Sequence, residues 1–389
     1  MKSHRNYIAI DLLRIFAALL VLLNHFATFG RDTASVVDPD KAAFGFLNTF
    51  AELGAVGVEI FFVISGFVIA LSASSLQGLP DAIQFARLRA VRILPALWLS
   101  AIVSLVARAA YGDEFFPRFM DFLRSISMSP KGPYIDGVVW SLVVECVFYA
   151  IVSIFIVCRR RSGASIKVVA LMIGSSSLIY IAAMYVLNSM PTSMDMSELI
   201  SLASRFHFKI LLLQHGVFFA LGILVFCYRE DLERRSRARL GAFIGILCIG
   251  CFGEIMISSE RDLAKNLIAF AIWFICLCVM YAGTKNAKAI DSLLGTRKYV
   301  AKYLGGLSYP LYLNHYSTGM VIVWVISSFG FPPAVTFVLA FAAVLALSAG
   351  MMWLERKIQR SLTARISSLA SVRATPALRQ GIVRQAGTT

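Results

Sequence analysis

Eight ionisable residues sit inside long apolar runs of this chain: Asp11, Arg14, His25, Glu59, Glu145, His215, Glu254 and His315. An ionisable group in such a run is costly in lipid, and it usually faces a cavity or a partner. Arg14 and His25 are the most suggestive pair. Eleven positions separate them on what reads as one helix, a rotation of about 1100° that returns the two to within about 20° of one face, about 16 Å apart along it. A buried imidazole on the same stripe as a buried guanidinium points to acid/base chemistry above an anion-holding or carbonyl-polarising charge. Glu59 and Glu145 fall about two turns into their helices, Glu254 lies close to an outer surface, and His215 and His315 lie nearer mid-span.

Plainer readings apply to several of these. Asp11 with Arg14, three apart, reads as an ion pair that eases insertion. Glu59 can accept backbone hydrogen bonds or pair with a cation, and Glu254 reads as solvated. His215 is either a satisfied buried imidazole or the wall of a cavity.

The elements that position these groups follow from apolar run lengths. A spanning helix needs about 20 mostly apolar residues, and such windows fall at about 8–27, 54–76, 91–110, 138–158, 167–187, 208–227, 240–257, 264–283, 304–329 and 331–354. The sequence therefore predicts an all-α, polytopic bundle of about ten transmembrane helices. With the amino terminus in the cytoplasm, 26 of the 37 Lys and Arg residues fall in cytoplasmic segments and 10 in external ones. That bias follows the positive-inside rule and places both termini in the cytoplasm of a multi-pass inner (plasma) membrane protein. Composition agrees: 58% of the 389 residues are hydrophobic and 15% charged, against about 25% charged in a soluble domain. The +15 net charge is thus a topology signal and a headgroup contact in a lipid bilayer, with no nucleic acid as partner.

The first apolar run, interrupted by Asp11 and Arg14, reads as a retained helix rather than a signal peptide. The seven cysteines fall in or at the edge of spans and read as packing residues, with no metal site. Residues 1–360 form the membrane domain, and 361–389 read as a basic, disordered cytoplasmic tail. External loops near 28–53 and 111–137 are too short for a separate catalytic module, so any chemistry belongs to the bundle.

Four segments in order bring a family into view. Asp11-Leu-Leu-Arg14 through Asn24-His25, with ten residues between Arg14 and His25, resembles the opening helix of the acyltransferase-3 family of integral membrane acyltransferases. Gly57-Val-Glu59-Ile-Phe-Phe-Val-Ile-Ser65-Gly66-Phe67 resembles its second helix, Trp140-Ser141-Leu142-Val-Val-Glu145 its fourth, and Leu307-Ser308-Tyr309-Pro310-Leu311-Tyr312-Leu313-Asn314-His315 its penultimate one. One motif departs: adjacent arginines before Arg-Ile-x-Pro are replaced by Arg87-Leu88-Arg89-Ala-Val-Arg92-Ile93-Leu94-Pro95, which keeps three cations in altered spacing.

The resemblance implies transfer of an acyl group, commonly acetyl, from cytoplasmic acyl-CoA (acetyl-CoA) to a hydroxyl of a carbohydrate or lipid-linked glycan, such as an O-antigen or exopolysaccharide. On that basis Arg87, Arg89 and Arg92 hold the coenzyme phosphates. Arg14 lines the donor path or polarises the thioester. His25 is the general base and Glu145 orients or charge-balances its imidazolium. Glu59, Trp140, Ser141 and His315 fall to the acceptor, with His315 second choice as base. Tyr309 and Tyr312 either line the donor channel or pack. Direct attack and an acyl-His intermediate are both compatible with these residues. The rival class is a transporter or flippase using the same His and Glu groups; it favours internal repeats and helices broken at matching positions, and neither is evident in the sequence.

Overall fold

The computed structural model describes residues 7–32, 44–190, 200, 206–258 and 261–373. Among the described residues the chain is helical with no strand. The longer elements are α1 (Ile8–Asp32), α2 (Asn48–Leu53), α3 (Val56–Ala73), α4 (Leu79–Ala110), α5 (Phe115–Ile126), α6 (Val139–Ser162) and α7 (Lys167–Ser189). They continue with α8 (Phe206–Ile210), α9 (Gly216–Glu230), α10 (Arg234–Ile257), α11 (Leu263–Lys285), α12 (Ala287–Leu294), α13 (Lys298–Asn314), α14 (Ser317–Ser327) and α15 (Pro333–Arg373). Eight helices among the described residues are long and apolar enough to cross a membrane, the mark of a polytopic helical bundle.

Two of the ten expected spans are not continuous helices. The run at 208–227 is divided into α8 and α9 by a turn in which Leu212 takes φ +60°. The run at 304–329 is divided into α13 and α14 at His315 and Tyr316. Hydropathy does not register either break, because the few polar residues at each are outweighed by the apolar runs on either side. Irregular backbone at membrane depth is tolerated only where protein or a cavity surrounds it and its polar groups are satisfied. Both breaks are stitched in that way. Val217 N donates to Ser177 Oγ at 3.1 Å and Ser177 Oγ donates to Gln214 O at 3.3 Å. At the second break Ser317 N donates to Asp136 Oδ2 at 3.0 Å and Ser317 Oγ to Ile135 O at 2.6 Å.

The bundle is built around α9, which is buried from Gly216 to Cys227 and packs against α3 and α7. A glycine on each helix permits the close α3–α9 crossing. A Cβ on Gly66 would stand 2.2 Å from Phe219 O, and one on Gly222 would stand 2.1 Å from Val63 O. Small residues at helix crossings let backbones approach in lipid, where no hydrophobic force drives helices together. α1 packs chiefly on α13 and α3, which fixes Arg14 and His25 between the first and the later spans. The helix α15 continues to Arg373, past residue 361 where the tail was expected to begin. Its Arg, Ala and Leu content favours helix and no Gly or Pro interrupts it there; residues 374–389 lie outside the described residues.

Candidate active site

Two polar clusters lie inside the bundle. The first begins at the break between α13 and α14. Pro310, inside α13, has no N–H to give to the ladder. Asn314 donates from Nδ2 to Pro310 O at 2.7 Å, while Ser100 donates to Leu313 O at 2.7 Å and to Asn314 Oδ1 at 3.1 Å. The helix ends there with His315 as its C-terminal cap. His315 is fully buried, and its two ring nitrogens have separate partners: Nδ1 lies 2.8 Å from Tyr312 O, and Nε2 lies 2.8 Å from His25 Nδ1 on α1. A carbonyl only accepts, so His315 Nδ1 carries the proton. With both rings neutral, His315 Nε2 is then an acceptor and His25 Nδ1–H donates to it. This leaves a lone pair on His25 Nε2, the state a general base needs. Tyr316 closes the other side of His25, its ring edge-on at a centroid distance of 4.6 Å.

Next to this pair, a cleft of about 70 Å³ runs along α1, α3, α4, α6 and α13. Arg14, Arg89, Arg92 and Glu145 line it, together with Tyr149 and Tyr309, and it ends at Phe61, Ser141 and Tyr312. Arg89 and Arg92, three apart on α4, share the face turned to the cleft, whereas Arg87 is exposed and does not line it. Arg89 donates from Nη2 to Ser72 Oγ at 2.9 Å and lies over the Phe85 ring. Arg14 feels the charges of Arg92, Asp11 and Glu145 and makes no hydrogen bond or ion pair among the described residues. Its guanidinium is thus available to a ligand in the cleft. The expected Asp11 to Arg14 pairing gives way to packing of Asp11 against Gly305, where a Cβ would stand 2.7 Å from Asp11 Oδ1.

The structure does not bring Glu145 to His25. Glu145 Oε1 accepts from Ser65 Oγ and, at 2.5 Å, from Tyr149 OH, so it belongs to the cationic cleft. His315 occupies the place at His25 that was expected of Glu145. The reason is depth: Ser141, one turn before Glu145 on the same face of α6, lies at the histidine end, where its Oγ lies 2.8 Å from Tyr312 OH. The Tyr312 ring is 5.6 Å from that of His315, so one tyrosine joins the cleft to the base. Tyr309 OH donates to Ile93 O at 3.1 Å.

The remaining expected acceptor residues fall in the second cluster, at the break between α8 and α9. His215 caps the start of α9 and lies 3.1 Å, Nδ1 to Oε1, from Glu254 of α10. Trp140 packs against His215 and Phe62, with centroid distances of 5.4 and 6.2 Å, and Lys209 lies over its ring at 5.7 Å. Glu59 is buried in the same neighbourhood, within the fields of Glu254, Lys209 and Arg261. Glu254, expected to be solvated, is 1% exposed, because α10 carries it inward against Gln214 and His215.

Sequence reasoning gave no role to Ser65, Tyr149 or Asp136. Tyr149 had a usable signal, since a residue four positions after Glu145 shares its helix face. Asp136 had none: it precedes α6 and acts on Ser317, 181 positions away. Among the described residues no three His, Cys, Asp or Glu side chains gather closely enough to hold a metal ion, and all seven cysteines are free.

Eight helices among the described residues, long and apolar enough to cross a membrane, together with a buried histidine pair beside a cationic cleft, define a polytopic helical membrane protein. The family model for the acyltransferase domain of the acyltransferase-3 family matches residues 7–353, and the chain belongs to that family. Curated relatives include an O-acetyl transferase of Shigella phage Sf6, 29% identical over 43% of this chain and 51% of the relative. Nodulation protein 10 of Rhizobium leguminosarum bv. viciae is 29% identical over 43% of this chain and 50% of its own. The exopolysaccharide production protein ExoZ of Rhizobium meliloti is 34% identical over 25% and 33%. The matched segment thus spans about half the length, or less, of these relatives. No solved structure matches.

Proposed function

We propose that this protein is an integral membrane O-acyltransferase that moves an acyl group, acetyl foremost, from cytoplasmic acyl-CoA to a hydroxyl of a cell-surface or exported carbohydrate. The observation that carries the reading is the His25 to His315 hydrogen bond with His315 Nδ1 fixed on Tyr312 O, which presents His25 Nε2 as a base. In the reaction His25 Nε2 takes the proton of the acceptor hydroxyl, and the hydroxyl oxygen bonds to the thioester carbonyl carbon. The carbon–sulfur bond then breaks, and the proton passes to the leaving thiolate. His315 holds the tautomer and bears part of the positive charge that develops on the pair. Arg14, without a protein partner, stabilises the donor carbonyl or grips the pantetheine arm. Arg89 and Arg92 hold the phosphates by charge-assisted bonds. Arg87, exposed and off the cleft, serves topology. Glu145, tied to Ser65 and Tyr149, balances the cationic cleft.

The names of the relatives support an O-acetylated glycan as acceptor, and the arginine bias supports an inner membrane with the cleft mouth in the cytoplasm. The two broken helices are what a transporter reading asks for, so the deciding test separates chemistry from transport. Detergent-purified protein, with no membrane and no gradient, is given radiolabelled acetyl-CoA and oligosaccharides from the host's surface polysaccharide. Labelled saccharide is expected from wild type and none from His25→Ala. Unlabelled saccharide with wild type would overturn the reading in favour of transport.

A further inference from the structure

The second cluster opens on a cavity that the chemistry above does not use. It holds about 180 Å³ between α7, α8, α10 and the turn before α9, lined by Tyr180, Lys209, Gln214, Glu254 and Ser258 with apolar Ile181, Met184 and Ile257. Its polar groups are incompletely satisfied. Glu254 is 1% exposed; Oε1 accepts from Gln214 Nε2 at 3.2 Å, and Oε2 has no hydrogen-bond partner. Beside it, outside the lining, His215 is 4% exposed and its Nδ1 lies 3.1 Å from Glu254 Oε1. Glu254 Oε2, buried and unpartnered in the wall of the hollow, points to a ligand that supplies the missing bond.

The chemistry of the lining selects the ligand. A carboxylate only accepts, an ammonium only donates, and an amide or hydroxyl does both. A sugar hydroxyl also donates and accepts at once, so neighbouring hydroxyls of one ring can satisfy Glu254 and Lys209 together. The apolar wall suits the C–H face of the same ring. The cavity lies at the carboxyl-terminal end of α10, the same side of the bundle as the end of α1 beyond His25, where an exported glycan would arrive. It is joined to the base by contact: Lys209 covers Trp140, the neighbouring Ser141 bonds Tyr312, and Tyr312 O holds His315.

We propose that this cavity binds a sugar unit of the acceptor remote from the hydroxyl that is acylated. It rests on the reading of a glycan acceptor. Binding energy from a remote unit holds the reacting hydroxyl at the base, so the site acts only on acceptors long enough to reach it.

The test crosses three variants with acceptor length. Lys209→Ala, Gln214→Ala and Glu254→Gln are assayed with acetyl-CoA against methyl glycosides and against oligosaccharides of the host's surface polysaccharide. The variants are expected to raise the oligosaccharide KM about tenfold or more while KM for the methyl glycoside and for acetyl-CoA moves less than twofold. Lys209→Arg should restore the oligosaccharide KM. Equal KM values for variants and wild type on the oligosaccharide, or the same loss on both acceptors, overturn the proposal. Calorimetric titration of the oligosaccharide is run beside turnover. Wild type should bind it and the variants about tenfold more weakly, and no binding, or equal binding, overturns the site. Binding without turnover by wild type would keep the site and sink the acyltransfer reading on which it was placed.

Discussion

The two broken helices place a histidine at each break, and the two histidines end in opposite conditions. At the α13–α14 break every polar group near His315 is spoken for: Nδ1 by Tyr312 O, Nε2 by His25, and the following Ser317 N–H by Asp136. At the α8–α9 break the backbone is equally well stitched, through Ser177, yet His215 has only its 3.1 Å contact with Glu254 Oε1, and Glu254 and Glu59 each keep an unpartnered oxygen. A site that must hold one tautomer in readiness is satisfied from within, since preorganised groups need no rearrangement during reaction. A site that must receive a ligand leaves bonds for the ligand to make. On the proposed reading, the difference separates chemistry at the first break from recognition at the second.

Removal of His25 and His315 in turn carries the largest expected effect. His25→Ala is expected to lower acylation by about 10²–10⁴-fold, the range of a lost general base, and His315→Ala by a comparable factor. The double variant should fall little further, because residues acting as a unit are strongly non-additive. The measurement is initial rate at saturating donor and acceptor with matched protein yield. Full activity in His315→Ala would reduce the pair to packing and erase the contrast with His215.

Asp136 offers the next largest effect. It is 2% exposed and accepts from Val138 N and Ser317 N. Asp136→Ala leaves both N–H groups buried and unpaired, a cost of about 1–3 kcal/mol each, and loosens the turn that carries His315 and Tyr316. A lower Tm is expected together with a kcat reduced by about tenfold or more and an unchanged donor KM. Asp136→Asn keeps one accepting oxygen and should recover part of both. A lowered Tm with normal kcat would show that the stitch supports the fold without setting the histidine pair.

How much of this was legible in the sequence depends on whether the partners share a helix. Arg14 and His25 lie on one helix, so their common face followed from spacing alone, and the eight long apolar runs are visible as such. Glu145 was assigned to His25 because run length gives depth only to within a few residues, and one turn of α6 decides whether a side chain meets Tyr312 or the arginine cleft. The His25 to His315 contact joins positions 290 apart, and no local pattern encodes it. The breaks escaped notice because the few polar residues at each, Gln214 and His215 or Asn314 to Ser317, are outweighed by the apolar runs on either side.

The donor side sharpens the comparison from a different direction, because it should be indifferent to both breaks. Arg89→Ala or Arg92→Ala is expected to raise the acetyl-CoA KM by roughly three- to tenfold, as loss of a charge-assisted bond worth about 1 kcal/mol or somewhat more would do. Acceptor KM should not move. Arg87→Ala, which does not line the cleft, should leave both constants unchanged, with a steady-state titration of each substrate as the check.

The smallest expected effect concerns the far end of α9. Asp231, just past that helix, accepts from Lys167 Nζ at 2.7 Å and Ser236 Oγ at 2.5 Å. The Lys167 ammonium, then the Ser236 hydroxyl and the Glu233 backbone N–H, hold its carboxyl down at about 2, below the ordinary aspartate value of about 3.9. A depressed folded value means that Asp231 contributes stability above about pH 4 and loses that contribution as pH falls towards 2. The Tm difference between wild type and Asp231→Asn should therefore be small and constant from pH 5 to 8, then vanish between about pH 4 and 2. If α9 is anchored in this way at its lower end, the variant also leaves oligosaccharide KM unchanged, because the cavity at the upper end takes its shape from the Ser177 stitch. An oligosaccharide KM that rises with the loss of Asp231 would mean that α9 moves as a rigid rod, and that the open cavity is set by the whole helix rather than by the break.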